Sequence, residues 1–173
     1  AIFTGLLFAR FSRPKAKIRY SSLAVVGPYR GDGGDTAFMF RIANQRRNQL
    51  LELKAKLYYS WTIQTDRGPE RSYARLLLER DDISFFPLSW TVVHPIGEES
   101  PLFGQTAEDL IENDCEFVVL LTGIDDTFHQ LVHSIHSYKG DEIQFGRKFR
   151  RIATRDEPGR YVTIDLSRLD ETE

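Results

Sequence analysis

The chain has 173 residues, of which 41% are hydrophobic and 28% are charged, and its formal net charge is −2. This length suits one ordinary domain, and the composition allows a packed core and excludes a disordered chain. The small net charge shows no basic excess of the kind that predicts wholesale nucleic-acid binding. Cys115 is the only cysteine and lies in an apolar run, so we expect a buried thiol and no internal disulfide.

The first residues combine a short apolar stretch with a run of cations. Residues 1–9 are apolar but fall well short of the roughly 20 residues that span a bilayer. Arg13-Pro14 would end a helix, because the residue before proline is pushed out of the helical region. Cations at alternate positions would share one face of an extended chain, and these are Arg13, Lys15, Lys17 and Arg19. Such a band beyond a membrane helix marks the cytoplasmic side and attracts anionic lipid headgroups.

The remainder of the chain is predicted to be mostly β. Residues 49–61 alternate between apolar and polar side chains, which predicts a strand with one buried face. Further short strands are predicted at residues 37–42, 84–88, 90–96, 116–122 and 160–166. Thr106 and Asp109 have the spacing of a capping box and predict one short helix. Many short strands with one small helix predict a β-sandwich.

Three histidines form the sharpest candidate for a metal site. His129, His133 and His136 would share one face of a helix, and three imidazoles could hold zinc. On a strand, His136 would instead face away from the other two. Gln130 stands where an H-E-x-x-H motif carries its general-base glutamate, so a catalytic metal is not expected.

Other enzyme motifs are missing from the sequence. No serine lies in a G-x-S-x-G turn, and the turn at residues 31–34 lacks the lysine of a phosphate-binding loop. We therefore expect no enzyme. Two alternatives stay open on these patterns alone, a metal-binding sandwich that uses the three histidines and a plain protein-binding module that uses exposed sheet edges.

Six segments, taken in order, resemble the inward-rectifier potassium channel family. Residues 40–46 fit its F-R-x-x-N-x-R pattern, and residues 137–146 fit S-Y-x-x-D-E-I-x-x-G. Residues 89–96 with 100–103 resemble its histidine segment followed by S-P-L-F. The other three are similar to the end of the pore-lining inner helix with its basic tether, the strand that enters the pore-constricting loop, and the last strand; they are residues 8–17, 116–123 and 161–166.

The resemblance is to a prokaryotic member and implies an all-β domain, an immunoglobulin-like β-sandwich of the E-set type with one or two short helices. It implies that residues 1–12 are a stub of the inner membrane helix, 13–19 the basic tether and 20–173 the cytoplasmic domain. The channel would be a homotetramer in the cell membrane, with a cytoplasmic vestibule on its axis. It would have no cofactor beyond K⁺ as the permeant ion, and no nucleic-acid partner.

The resemblance also implies a contact with anionic lipid headgroups or phosphoinositide. The candidates are three cations of the tether and one of the following turn, namely Arg13, Lys15, Lys17 and Arg46. Ala16 stands where many animal members carry another base, which weakens the expected site.

Pore-lining residues are implied as well. Glu52 matches the family's rectification carboxylate, and fourfold symmetry would make it a ring of four that concentrates polyvalent cations. Asp125 and Asp126 would add acid near the constriction. Thr122 stands where strong rectifiers carry a second glutamate, so only modest blocker affinity is expected. The alternative is that Glu52 pairs with Lys54 or Lys56 on the strand surface.

The pore-constricting loop would bring Phe128, His129 and Gln130 nearest to the axis. A bulky or apolar ring there can gate by dewetting or occlusion. His129 could make this gate sensitive to pH.

Overall fold

The computed structural model describes residues 17–30, 35–45, 49–86, 88–127, 129–155, 157, 159 and 161–173. Within these ranges the chain forms twelve strands and one α-helix, α1 (Ala107–Glu112). The strands are β1 (Ile18–Tyr20), β2 (Ala24–Pro28), β3 (Thr36–Asn44), β4 (Leu50–Thr65), β5 (Gly68–Leu76), β6 (Asp82–Phe85), β7 (Ser89–Pro95), β8 (Glu116–Asp125), β9 (Gln130–Lys139), β10 (Ile143–Phe145), β11 (Ala153–Arg155) and β12 (Val162–Ile164). Two 3-10 turns lie at Gly140–Glu142 and Leu166–Arg168.

The strands form two five-stranded sheets and a separate pair. In the first sheet the order is β1-β3-β2-β10, with β7 on the other side of β3. In the second sheet the order is β5-β4-β8-β9, with β6 beside β4. The strands β11 and β12 pair with each other, and β2 with β10 is the parallel pair among the described strands.

The two sheets pack face to face around an apolar core. Leu57 and Tyr59 of β4 lie opposite Val119 and Phe117 of β8, and all four side chains are buried. The ring of Phe117 stacks on Phe38 of the first sheet with 4.4 Å between ring centroids. This interdigitation of inward-facing side chains is that of a β-sandwich. The expected all-β, immunoglobulin-like fold is therefore confirmed.

The central strand of the first sheet is buried on both faces. Phe38 and Phe40 of β3 face the core between the sheets. On the other face, Met39 is covered by Phe149, and Ala43 by Ile152 and Leu169 of the C-terminal segment. A strand enclosed in this way reads as a continuous apolar run rather than an alternating one, as residues 37–43 do with one exception.

That exception is Arg41, which is 7% exposed. Its Nε donates to the Thr91 hydroxyl at 3.3 Å, and one Nη donates to the carbonyl of Arg150. Its guanidinium lies 4.7 Å from the centre of the Phe149 ring, and burial lowers its pKa. The arginine of the F-R-x-x-N-x-R pattern thus fastens the C-terminal segment to the first sheet.

A buried histidine explains a second motif. His94 Nδ1 lies 2.6 Å from the carbonyl oxygen of Leu77, and Nε2 lies 2.8 Å from the Ser100 hydroxyl. The carbonyl can only accept, so Nδ1 carries the proton and Nε2 accepts from Ser100. Burial lowers the pKa of His94. The histidine and serine of that segment therefore fix the loop after β7.

The helix begins where the capping box predicts. Thr106 accepts from the Asp109 N–H at 3.2 Å, and Asp109 accepts from the Thr106 N–H at 2.8 Å, which lowers the Asp109 pKa. The Cys115 thiol is buried 3.0 Å from the Tyr59 hydroxyl, as expected for its apolar run. No helix in the described ranges is long and apolar enough to cross a membrane.

Several boundaries differ from the predictions. The strand predicted at 49–61 continues to Thr65 and returns as β5, which the alternation did not reveal. Ser60, a polar residue of the alternating run, is buried, and the Arg71 guanidinium donates to its hydroxyl at 3.0 Å. The strand predicted at 84–88 lies earlier in the chain, as β6 (Asp82–Phe85), and the strand predicted at 160–166 is shorter, as β12.

Gly140 offers a test of how closely the chain before β10 packs against α1. A Cβ at this position would lie 2.6 Å from the carbonyl oxygen of Leu110, a backbone atom that cannot rotate away. We expect Gly140→Ala to lower the free energy of unfolding by about 1–3 kcal/mol, as overpacking does. Urea denaturation followed by tryptophan fluorescence measures this change.

The matched control is Gly97→Ala, because a Cβ at Gly97 meets no atom within 4 Å. Its free energy of unfolding should stay within about 0.5 kcal/mol of the wild-type value. Equal losses in the two variants would contradict the close approach at Gly140.

Candidate functional site

Several of the candidate pore-lining and gate residues meet at one end of the second sheet. Asp125, at the end of β8, lies opposite Leu50 on one side and Gln130 on the other. The adjoining positions of β4, β8 and β9 are therefore neighbours. Glu52, Asp126 and His129 lie within two residues of these ends, so residues predicted separately are brought together.

Glu52 sits in an irregular part of β4. The register between β4 and β8 shifts between Leu51 and Lys54, and Glu52 has a φ of 47°. A non-glycine residue in this left-handed region is uncommon and is typical of a β-bulge. Its side chain is exposed. The bulge therefore turns a carboxylate outward at the end of the sheet.

The proposed pairing of Glu52 with neighbouring lysines is not found. No ion pair to Glu52 occurs in the described part of the chain, although Lys54 and Lys56 are both exposed. Lys54 lies opposite Asp82 on β6 and Thr122 on β8, and Thr122 in turn lies opposite His133. The same outer face thus carries cations beside the carboxylate.

The two aspartates after β8 differ in exposure. Asp125 is 1% exposed and accepts from the Thr127 N–H at 3.0 Å, so its carboxylate shapes the turn and does not face open solvent in the protomer. Asp126 is half-buried and accepts from the Gln49 N–H at 3.1 Å. Asp126 therefore ties the loop to the start of β4.

The gate-loop residues are partly described. Phe128 lies outside the described residues. His129 is exposed with a φ of 51°, and Gln130 is exposed as the first residue of β9. The left-handed backbone at His129 closes the tight connection between β8 and β9.

The three histidines do not gather into a metal site. Residues 130–139 form a strand, so His133 and His136 face opposite sides. His133 is exposed, whereas His136 packs on Tyr20 with 4.4 Å between ring centroids. The described residues hold no group of three metal-binding side chains. The metal-binding alternative therefore has no structural support.

Of the four lipid-contact candidates, Arg13, Lys15 and Arg46 lie outside the described residues, as does the predicted stub. Lys17 is exposed just before β1, and its carbonyl oxygen accepts from the Gln45 N–H at 3.0 Å. Gln45 immediately precedes Arg46. Lys17 and Gln45 are thus adjacent, although they are far apart in the sequence.

An apolar row on the outer face of the second sheet was not foreseen. Leu51 lies opposite Phe85 and Ile124, and Ile124 lies opposite Leu131. Phe85 and Leu131 are 73% and 63% exposed, and Ile135 of the same face is 71% exposed. The sequence contains a signal for this row, since Leu131 and Ile135 fall on one face of β9. That signal can be used only if residues 130–139 are already known to form a strand.

Comparison with known proteins gives the family. The family model described as the inward rectifier potassium channel C-terminal domain matches residues 18–173. The inward rectifier potassium channel Kirbac3.1 of Paramagnetospirillum magnetotacticum is 37% identical over 172 residues, which cover 99% of the chain and 57% of that protein.

Animal channels are also similar. Inward rectifier potassium channel irk-1 of Caenorhabditis elegans is 25% identical over 99% of the chain and 33% of its own length. ATP-sensitive inward rectifier potassium channel 15 of Mus musculus is 28% identical over 97% of the chain and 46% of its own length. The chain thus spans between a third and somewhat over half of the relatives it matches.

These relatives are channels and not enzymes, which agrees with the lack of enzyme motifs. The order of the segment matches, the sandwich fold and the family model lead to one assignment: the chain belongs to the inward rectifier potassium channel family and forms its C-terminal domain.

Proposed function

We propose that the chain is the cytoplasmic gating domain of a homotetrameric potassium channel of the cell membrane. The observation that carries this proposal is the outer face of the second sheet, where an exposed apolar row adjoins the outward carboxylate of Glu52 and the loop before β9. In the tetramer this face meets neighbouring subunits and borders a vestibule through which K⁺ passes.

Assembly follows from the apolar row. Exposed apolar side chains that lie side by side mark interaction sites more often than scattered ones do. Leu131 and Ile135 point outward from the same edge strand, and neither contributes to the core of the protomer. A neighbouring subunit would remove both from water at about 25 cal/mol per Å² of apolar surface.

The proposal predicts that charge on this face weakens assembly. Ile135→Asp in the full-length channel should lower the tetramer fraction, because a carboxylate would have to be buried in the contact. Sizing chromatography with light scattering measures that fraction.

Ile111→Asp is the control, because Ile111 is 58% exposed on α1 and lies away from the second sheet's outer face. It should leave the tetramer intact. A tetramer unaffected by Ile135→Asp would argue against this face as the contact.

The vestibule follows from Glu52. A fourfold ring of outward carboxylates concentrates cations and can hold a polyvalent blocker. The neighbouring Lys54 and Lys56 on the same strand oppose this field, and Thr122 adds no charge. Block by polyvalent cations is therefore expected to be modest.

We predict that Glu52→Gln in the full-length channel weakens block by internal Mg²⁺ or spermine about threefold or more, because one carboxylate is lost from each of four subunits. K⁺ flux from liposomes, titrated with blocker, gives the inhibition constant. Glu99→Gln, an exposed acid in the loop after β7, should leave the constant unchanged. Identical block in wild type and Glu52→Gln would remove Glu52 from the vestibule.

Lipid contact is supported by the junction between Lys17 and the turn after β3. The hydrogen bond from Gln45 to the Lys17 carbonyl joins two basic segments that the sequence separates. Cations gathered at a membrane surface attract anionic headgroups at about 1 kcal/mol each. Arg13, Lys15 and Arg46 would extend this patch, with Lys17 as its anchor in the sandwich.

Lys17→Gln and Arg46→Gln are each expected to weaken binding of the full-length channel to phosphoinositide vesicles about fivefold, which corresponds to about 1 kcal/mol per cation. Vesicle flotation measures the affinity. Lys139→Gln is the matched control and should bind as wild type does, because Lys139 is the last residue of β9 and lies outside the two basic segments. Equal loss in all three variants would indicate attraction by overall charge alone.

A further inference from the structure

The first strand of the sandwich is fastened to the strand that follows the gate loop. The Tyr20 hydroxyl donates to the Ser134 hydroxyl at 2.8 Å. The Tyr20 ring stacks on His136 with 4.4 Å between centroids and an interplanar angle of 18°. The next pair continues the contact, since the Tyr138 hydroxyl donates to the carbonyl of Ser21 at 2.9 Å. We name Tyr20, Ser134 and His136 the clasp.

These contacts join the two sheets where backbone pairing cannot. β1 pairs with β3 of the first sheet, and β9 is the edge strand of the second sheet. In the part of the chain that the structure describes, β8 is the only strand bonded to β9. Side-chain contacts must therefore hold β9 against β1.

The clasp also lies between the two functional segments. β1 begins one residue after Lys17, whose carbonyl is bonded to the turn that precedes Arg46. β9 begins at Gln130, directly after His129. A displacement of the tether reaches β1 first, and the strand that ends the gate loop is fastened to β1 by the clasp.

We propose that Tyr20 is a positioning residue that couples the tether to the gate loop through Ser134 and His136. The inference rests on the proposed gating function and deepens it, because it names the contact by which lipid binding at the tether moves β9. The ring contact and the hydrogen bond together fix the position of β9 against β1.

The clasp has a built-in dependence on pH. His136 faces Tyr20 from β1, Tyr138 on its own strand and the apolar Val119 across the strand pair, with Glu142 as the nearby charge. Burial lowers the His136 pKa, while Glu142 partly offsets this. The neutral ring is thus favoured in the closed clasp. When the pH falls below the ordinary histidine pKa of about 6.5, His136 is protonated more readily in the opened form than in the closed one. Acid therefore shifts the equilibrium toward the opened form.

Hydrogen exchange of the full-length channel tests the contact directly. Tyr20→Ala should speed exchange of the β9 amides at residues 131–136 about tenfold, which is the loss expected for a partly buried hydrogen bond and a ring contact. Tyr20→Phe and Ser134→Ala each remove only the hydrogen bond, so they should give equal, smaller effects that do not add. Tyr73→Ala, an exposed tyrosine of β5, should leave β9 unchanged.

Flux supplies the functional readout. K⁺ flux is measured in neutral vesicles and in vesicles with phosphoinositide, and the ratio of the two is the lipid response. Tyr20→Ala should bring that ratio about threefold closer to one, whereas Tyr20→Phe should retain most of it. His136→Phe keeps an aromatic ring and removes the titrating group. The change in K⁺ flux between pH 7.5 and pH 5.5 should therefore be smaller in this variant than in wild type.

The outcomes separate the coupling from the channel function. A wild-type protein that conducts no K⁺ would refute the proposed function. The exchange data would then still show whether Tyr20 holds β9 in place. A conducting, lipid-sensitive wild type with an equal lipid response in Tyr20→Ala would overturn the coupling. Unchanged exchange of β9 in Tyr20→Ala would overturn it as well. An acid response lost in His129→Ala but kept in His136→Phe would overturn the pH dependence assigned to His136.

Discussion

The pairing of β8 with β4 on one side and β9 on the other determines where the candidate functional residues lie. Ten consecutive residues of β8 pair with β9 without a break, so Asp125 and Gln130, the strand ends on either side of the loop, lie opposite each other. The pairing with β4 is interrupted once, between Leu51 and Lys54. That interruption is where Glu52 leaves the regular pleat, and the rest of the site is arranged around it.

Much of the fold was predictable from local chemistry. The alternation of residues 49–61 identified the longest strand, and the reciprocal spacing of Thr106 and Asp109 identified the helix start. Both signals are local, because a pleat and a capping box each depend on residues that are near neighbours in sequence. The burial of Cys115 followed from its apolar run in the same way.

The remaining features depend on partners that are distant in sequence. The φ of 47° at Glu52 follows from a register shift against β8, which no pattern within residues 49–61 reports. His136 was considered with His129 and His133 as a possible metal ligand, yet its ring stacks on Tyr20, more than a hundred residues earlier. The sequence could therefore not indicate which distant residues fix the positions of Glu52 and His136.

The parallel pair of β2 and β10 has a consequence for how the domain is made. β2 comes early in the chain, and its neighbour β10 is synthesised only after the whole second sheet. A contact between strands so far apart in sequence slows folding, because the entropic cost of closing the long loop comes before the stabilisation that the contact provides. During translation the first sheet therefore waits with an open edge until residues 143–145 have left the ribosome. If an incomplete chain left the ribosome before β10 was made, β2 would have an unpaired edge that could aggregate.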